Sequence, residues 1–368
     1  MKVLYVLNDS LNYGSSKAIL YLTDALKDKI EYEFLLPCHG VLEEELKLRG
    51  IKYKVSKYFS SVKDLDNGEK KIKRIIKKVI NKVKVITLSK YYKNRNIDIV
   101  HSVNSAIYIG ALISKKIGVK HVQHIREFAE EDHNFTFFDK DYIYKLFNES
   151  DKIICVSNAV FDKYKKILNV NKMVRIYDGV GTSFFDKEKD DDIKYNILYT
   201  GTLSKTKGVF DACLAVESLV DSYPKIHLYI AGDGPLKEKI KKYISEKNIT
   251  NNITLLGYVK DMKSLRRKTK IALVCSKCEA LGLVSIEAML SKCLVIGTNS
   301  GGTKEIVKEN GLFYDYGDYK GLKEKIKIAF ENEKMVDTLI EKAYKEALNF
   351  NIEKCAMDTF SVYEEIMK

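Results

Sequence analysis

The sequence has no long apolar run, no dinucleotide fingerprint and only three prolines, and each shortage excludes something. No stretch approaches the roughly 20 apolar residues that a helix needs to cross a bilayer, so no membrane span is expected. Met1–Leu7 is a short apolar run without a cleavage-site pattern, which predicts no signal peptide and a cytoplasmic protein. Neither half carries G-x-G-x-x-G, which argues against a dehydrogenase. The seven cysteines, Cys38, Cys155, Cys213, Cys275, Cys278, Cys293 and Cys355, are scattered, several of them in apolar segments. That distribution suits reduced core residues better than a disulfide framework. Cys275 and Cys278 form one C-x-x-C, but no second pair stands at zinc spacing.

With 368 residues, 45% of them hydrophobic, the chain can bury two cores of ordinary domain size. Its net charge of +13 is unevenly spread, because Lys70 to Arg95 contains no acid. There Ile72, Ile75, Ile76, Val79, Ile80 and Val83 recur at helical spacing, while Lys71, Lys73, Arg74, Lys77, Lys78 and Lys82 take other faces. Residues 70–95 therefore read as a basic amphipathic helix. Its stripe either faces the core beneath solvated lysines or meets an anionic membrane, where each basic residue contributes about 1 kcal/mol. Nucleic acid is not an expected partner, because no recognition motif accompanies the charge.

Short apolar runs alternate with helical segments twice, which predicts two parallel-sheet α/β units. The strands fall at 3–7, 32–36, 98–102, 121–125 and 153–157, then at 196–201, 227–232, 253–257, 271–275 and 294–298. Between the sets lies a polar, acidic run over 185–193, read as linker. Its Asp190 and Asp192 make a D-x-D, but no apolar strand delivers it into a pocket, so it reads as solvated charge. Ligands of open α/β sheets bind beyond the carboxyl ends of strands. Three loops follow strands in this way: Asn8 to Lys17 with Gly14 and Ser15, Thr202 to Gly208, and Asp233 to Pro235.

The segment E-A-L-G-L-V-S-I-E-A-M-L, Glu279 to Leu290, is the most informative in the chain. It follows an apolar strand, turns at Gly282 and enters an apolar helix. Backbone N–H groups at such a helix start favour an anion, so a phosphate is a plausible guest. Glu279 before the turn and Glu287 inside the helix supply acceptors for vicinal hydroxyls. A phosphate flanked by two polyols, as in a nucleotide sugar, fits this pattern. The bland alternative makes Glu279 a solvated loop residue and Glu287 a capping acid.

The motif order G-T-L-S-K-T-K-G (201–208), L-Y-I-A-G-D-G-P (228–235), L-L-G-Y-V (255–259), S-K-C-E-A-L-G-L-V-S-I-E-A-M-L (276–290) and G-T-N-S-G-G-T-K-E-I-V (297–307) resembles the carboxyl-terminal domain of retaining GT-B glycosyltransferases of family four. The first half matches more loosely through Gly14, H-S-V-N-S (101–105), H-I-R-E (124–127), V-S-N (156–158) and I-Y-D-G-V (176–180). The resemblance implies two Rossmann-like doubly wound domains facing a central cleft. The first, 1–182, takes the acceptor; 183–195 is a linker region; 196–350 takes the nucleotide-sugar donor; and 351–368 forms a helix packing back on the first domain.

It further implies that Glu287 holds the ribose and that Glu279 faces the transferred sugar, with the backbone of Ala280, Leu281, Gly282 and Leu283 beside it. Lys207 meets the diphosphate in the loop of Gly201 and Thr202, where Thr202 stands at the family's usual Arg position; Lys205 or Arg126 is then the substitute charge. His124 matches a histidine near the reacting carbon, with His101 and His121 its rivals. Gly14 and Ser15 match a glycine pair at phosphate or acceptor, and Asp178 replaces the commoner Asn in a structural turn.

The implied enzyme is a metal-independent hexosyltransferase without cofactor, the nucleotide sugar being a co-substrate, with UDP favoured. Its acceptor is a saccharide, read as lipid-linked from the basic helix, in capsule, exopolysaccharide or cell-wall glycan synthesis on the inner face of the cytoplasmic membrane. Richness in Lys, Ile and Asn suggests an AT-rich bacterial source. A sugar-nucleotide epimerase of the same architecture and a non-catalytic nucleotide-sugar-binding subunit are the alternatives.

Overall fold

A computed structural model describes residues 1–11, 14–65, 70–181 and 188–368. Asn12 and Tyr13 of the first loop, residue 182 and linker residues 183–187 lie outside the described residues. The chain forms two compact units, Met1–Gly179 with Ile352–Lys368, and Val180–Asn351.

The first unit contains strands β1 (Lys2–Val6), β2 (Glu31–Leu36), β3 (Tyr53–Val55), β4 (Val62–Asp64), β5 (Ile99–Ser102), β6 (Lys120–Ile125), β7 (Phe135–Phe137), β8 (Lys152–Cys155) and β9 (Met173–Arg175). A seven-stranded parallel sheet runs β3-β2-β1-β5-β6-β8-β9, and β4 pairs antiparallel with β7. Near-continuous apolar runs such as V-L-Y-V-L are what a sheet covered on both faces demands. One face packs under the helix Ser15–Leu26 and the carboxyl-terminal helix Ile352–Met367, which join Val3, Tyr5, Ile19, Leu22, Val362 and Tyr363 in one core. The other face carries Leu4, Val6 and Val100 against Val85, Leu88 and Tyr92.

Those last three residues belong to the helix Lys71–Tyr92, whose apolar stripe stays outside the core apart from the half-buried Ile80. Ile72, Ile75, Ile76, Val79 and Val83 are exposed, and the helix is buried through Asn81, Val85, Leu88, Ser89 and Tyr92. Asn81 turns inward as Ser89 does, and its amide is satisfied there. Its Oδ1 accepts from the Phe59 N–H at 2.9 Å, and its Nδ2 donates to the Phe59 carbonyl at 2.8 Å and to Tyr108 Oη at 2.9 Å. A buried amide so bonded escapes the desolvation cost that would otherwise expel it.

The second unit is a six-stranded parallel sheet of β10 (Asn196–Thr200), β11 (His227–Ala231), β12 (Ile253–Gly257), β13 (Ile271–Val274), β14 (Leu294–Thr298) and β15 (Leu312–Tyr314), ordered β12-β11-β10-β13-β14-β15. Ile197, Leu228, Ile230, Leu273 and Ile296 are buried at its centre, each worth about 1.5–3 kcal/mol relative to exposure. Strand order reverses between β10 and β13. Among the described residues no helix is long and apolar enough to cross a membrane.

Candidate functional site

The reversal point gathers the second unit's candidate residues, since the loops beyond adjacent strands β10 and β13 meet there. Lys277 N–H donates to the Thr206 carbonyl at 2.7 Å and ties the two loops together. The 3-10 turn Lys205–Lys207 ends at Gly208, whose φ is +62°. A side chain there would place its Cβ 2.1 Å from the Cys275 carbonyl oxygen, so only glycine lets this turn lie against the end of β13. The turn delivers Lys207, whose Nζ lies 2.7 Å from Glu279 Oε1. Ser276 Oγ donates to the same oxygen.

Gly282, at φ +86°, caps the helix Leu283–Leu290 and sends the chain from the Glu279 loop into it. Gly302 N–H donates to the Glu279 carbonyl at 2.6 Å, so the S-G-G-T segment after β14 braces that loop. Glu287 lies in the same helix, with its carboxylate against Arg266. Arg266, from the helix Met262–Arg267, is 1% exposed, a burial that a guanidinium tolerates only with its charge paired. Nothing in the local sequence L-R-R-K singles out Arg266, because its partner is 21 positions away. The two carboxylates are thus each oriented by a cation, Glu279 by Lys207 and Glu287 by Arg266.

In the first unit the loosely matching motifs prove to be one polar assembly. Glu127 Oε1 accepts from Ser105 N–H at 2.8 Å, Ser105 Oγ at 2.9 Å and Ala106 N–H at 3.2 Å, joining H-I-R-E to H-S-V-N-S. Ser157 Oγ caps the helix Asn158–Tyr164 by accepting from Val160 N–H. Arg126 pairs with Asp178, and both are buried. The guanidinium of Arg126, the residue expected to serve a phosphate, is buried against this carboxylate. Asp178 is more than a turn residue: it is the counter-charge of Arg126.

His124 occupies the end of β6 and is 1% exposed. His101 Nε2 lies 3.2 Å from its Nδ1, and Arg126 Nη2 lies 3.4 Å from the same atom. His101 Nδ1 is 2.7 Å from Tyr363 Oη, which is 3.0 Å from Tyr5 Oη. Burial, reinforced by Arg126 and the neighbouring imidazole, holds both His101 and His124 well below the usual imidazole range, so both rings are neutral at pH 7. A guanidinium only donates, so His124 Nδ1 accepts. His101 then donates through Nε2–H, Tyr363 donates to His101 Nδ1, and Tyr5 donates to Tyr363. The chain of donors leaves His124 with its proton on Nε2, an atom without a hydrogen-bond partner among the described residues. His121, the other rival, has Ser102 and Ser150 hydroxyls at its two nitrogens, at 2.9 and 2.8 Å.

Residues 15–184 match the family described as Glycosyltransferase Family 4, and residues 182–346 match Glycosyl transferases group 1. An uncharacterized glycosyltransferase of Methanocaldococcus jannaschii is 30% identical over 283 residues, covering 74% of this chain and 77% of that relative. The chain belongs to the group 1, family 4 glycosyltransferases. A Campylobacter jejuni N-acetylgalactosaminyltransferase, named for an undecaprenol diphosphate-linked saccharide acceptor, is 23% identical over 264 residues, 70% of this chain and 72% of its own. Among solved structures, Anabaena HepE in complex with UDP superposes with a TM-score of 0.82 at 17% identity, over 99% of this chain and 100% of its own. A glycosyltransferase of Rickettsia africae gives 0.80 at 20% identity, over 100% and 99%. The fold is GT-B, and the protein is an enzyme of the hexosyltransferase type.

The remaining expected residues of this glycosyltransferase fall as follows. Thr202 is exposed, and its carbonyl accepts from Tyr199 Oη at 3.3 Å. Gly201 N–H bonds the Ala231 carbonyl. Ala280 and Leu281 are buried beside Gly282, and Leu283 opens the helix. Lys205 is exposed, and its carbonyl accepts from Tyr316 Oη. Gly14 caps the helix that Ser15 begins. Among the described residues no three His, Cys, Asp or Glu side chains gather to hold a metal ion.

Proposed function

We propose that this glycosyltransferase moves a sugar from a UDP-sugar to a hydroxyl of a lipid-linked saccharide, with retention of anomeric configuration. The product belongs to a cell-surface glycan such as capsule, exopolysaccharide or cell-wall polymer, and the enzyme works on the inner face of the cytoplasmic membrane. The observation that carries the donor assignment is the pair of cation-held carboxylates at the strand reversal, Glu279 with Lys207 and Glu287 with Arg266. HepE solved with UDP and with UDP-glucose supports the base, and the undecaprenol diphosphate saccharide of the Campylobacter enzyme supports the acceptor class.

In this scheme Glu287 accepts from the ribose hydroxyls and Glu279 from those of the sugar, beside the backbone of Ala280 to Leu283. Lys207, in the loop of Gly201 and Thr202, meets the diphosphate, and His124 donates through Nε2–H to a sugar oxygen. Gly14 and Ser15 line the acceptor or phosphate side. The anomeric carbon–oxygen bond to phosphate breaks and the bond to the acceptor oxygen forms, while the acceptor proton passes to the leaving diphosphate. Charge building on that diphosphate is stabilised by Lys207 and helix N–H groups, with no metal or cofactor assigned.

A thermal-shift series of nucleotides and nucleotide sugars in chelator tests the donor site. UDP at about one hundred times its dissociation constant should add about 2.7 kcal/mol. Glu287→Gln should abolish that gain. Glutamine is preferred to alanine because it leaves Arg266 an acceptor. No nucleotide raising stability, or undiminished stabilisation in the variant, rejects the assignment.

A further inference from the structure

The helix Lys71–Tyr92 has two apolar faces, and only one of them is used by the fold. Its carboxyl-terminal half enters the core through Val85, Leu88 and Tyr92. On the opposite side Ile72, Ile75, Ile76, Val79, Val83 and Ile86 are between 46% and 72% exposed. At 3.6 residues per turn these six fall within an arc roughly 100° wide, centred about half a turn away from the buried residues. The stripe runs from the first turn to Ile86, about 21 Å along the axis. A soluble helix ordinarily turns such a stripe inward, so an outward one marks a surface with an occupant.

The charges say which occupant. Lys71, Lys78 and Lys82 border one edge of the stripe, Lys73 and Lys84 the other, and no acid lies between Lys70 and Arg95. Lys78 lies 3.3 Å from Asp139, while Arg74 and Lys77 stand over the Phe138 ring on the side turned to the fold. An apolar strip edged by lysines on both sides matches an acyl boundary bordered by anionic headgroups. A protein partner would leave that lysine border to be answered by acids at both edges.

We propose that the helix lies in the plane of an anionic bilayer surface and inserts Ile72, Ile75, Ile76, Val79, Val83 and Ile86 below the headgroups, docking the first unit there. This rests on the reading of a membrane-borne acceptor and names the surface that reaches it. The docking is peripheral and needs no spanning segment. Because the stripe contributes nothing to the core, it can be altered without unfolding the chain.

The test is flotation of the full chain with vesicles of phosphatidylcholine, with and without phosphatidylglycerol, in the absence of donor. Binding should require the anionic lipid and fall steeply with salt. The triple variant Ile75→Asn, Val79→Asn, Val83→Asn should lower the partition constant by about tenfold or more, with an unchanged melting temperature. Lys71→Ala with Lys82→Ala should weaken binding to anionic vesicles only. Hydrolysis of the nucleotide-sugar donor in solution, which needs no lipid, should be unchanged in both. If the donor reading is wrong, that hydrolysis is missing while flotation persists. If the docking is wrong, the wild type does not float or the stripe variant floats equally. A concentration-dependent dimer that the stripe variant dissociates would make the stripe a seam between copies and overturn the bilayer assignment.

Discussion

His101 Nε2 points at His124 Nδ1 across 3.2 Å, and that contact makes the carboxyl-terminal helix a determinant of the candidate catalytic ring. Arg126, which can only donate, keeps the His124 proton on Nε2, and Tyr363, in that helix, donates to the far nitrogen of His101 and holds the ring that backs His124. Removing the Tyr363 hydroxyl frees His101 to turn its tautomer. The last residues of the chain thereby act on a ring whose own sequence neighbourhood gives no hint of them.

Tyr363→Phe should lower turnover about tenfold while leaving the donor KM within about twofold, the pattern of an interaction made chiefly in the transition state. Stability should fall by about 1–3 kcal/mol, because His101 Nδ1 and the Tyr5 hydroxyl lose a buried partner. Tyr5→Phe is the control, since it leaves the Tyr363-to-His101 bond intact. It should cost stability without the loss of turnover. Imidazole nitrogen NMR should show His101 protonated on Nε2 in the wild type and mixed in Tyr363→Phe, with His124 keeping its Nε2 proton in both. Equal effects of the two variants on turnover would reject a directed chain.

Arg266 and Glu287 should behave as a buried pair. Arg266→Met alone should cost about 3–5 kcal/mol, and Arg266→Met combined with Glu287→Leu should recover much of it. Nucleotide affinity should stay low in both, because one change misplaces the carboxylate and the other deletes it. Denaturation and calorimetric titration separate the two effects. A double variant no more stable than Arg266→Met would mean that the pair is not what holds Arg266 in the core.

The pH dependence of stability follows from the buried imidazoles. Burial holds His101 and His124 well below the usual range and pushes His121 down to about 3. Above pH 6.5 these rings are neutral in folded and unfolded chains alike, and they add no pH dependence. Below it the unfolded chain takes up protons that the folded chain refuses, so stability falls as pH falls. Each ring contributes up to about 1.4 kcal/mol per pH unit, and three give about 4 kcal/mol. Glu127, whose carboxyl burial raises, works in the opposite sense and flattens the slope. Urea unfolding at pH 7.5, 6.5, 5.5 and 4.5 measures this; stability that is constant over that range contradicts it.

Much of the fold was legible because buried parallel strands write themselves as short segments rich in apolar residues, and each of the ten strands expected from such segments is present. The strands β3, β4, β7, β9 and β15 were not legible, since three residues hold less than two full side-chain alternations. In the basic helix the period was legible but the direction was not. Periodicity states that Ile72, Ile75 and Val79 share a face, while Asn81, by finding Phe59 and Tyr108, decides which face turns inward. Glu279 and Glu287 were legible from their motif. Arg266 and Tyr363 were not, because their meaning lies in partners 21 and 262 positions away.

Gly208 offers a separation of backbone strain from steric exclusion. Both Gly208 and Gly118 are left-handed, at φ +62° and +77°, but a Cβ at Gly118 meets nothing within 4 Å, whereas one at Gly208 strikes the Cys275 carbonyl. Gly118→Ala should therefore cost only the left-handed penalty, about 1 kcal/mol. Gly208→Ala should cost clearly more and push the Lys205–Lys207 turn off the end of β13. Lys207 would then lose its 2.7 Å contact with Glu279, and donor affinity should drop by about tenfold or more, since an ammonium and its carboxylate lose their mutual orientation. Gly118→Ala should leave donor affinity unchanged. Parallel unfolding and donor-binding measurements on the two variants distinguish the effects, and equal donor affinity in both would show that the Lys207 turn does not depend on that close approach.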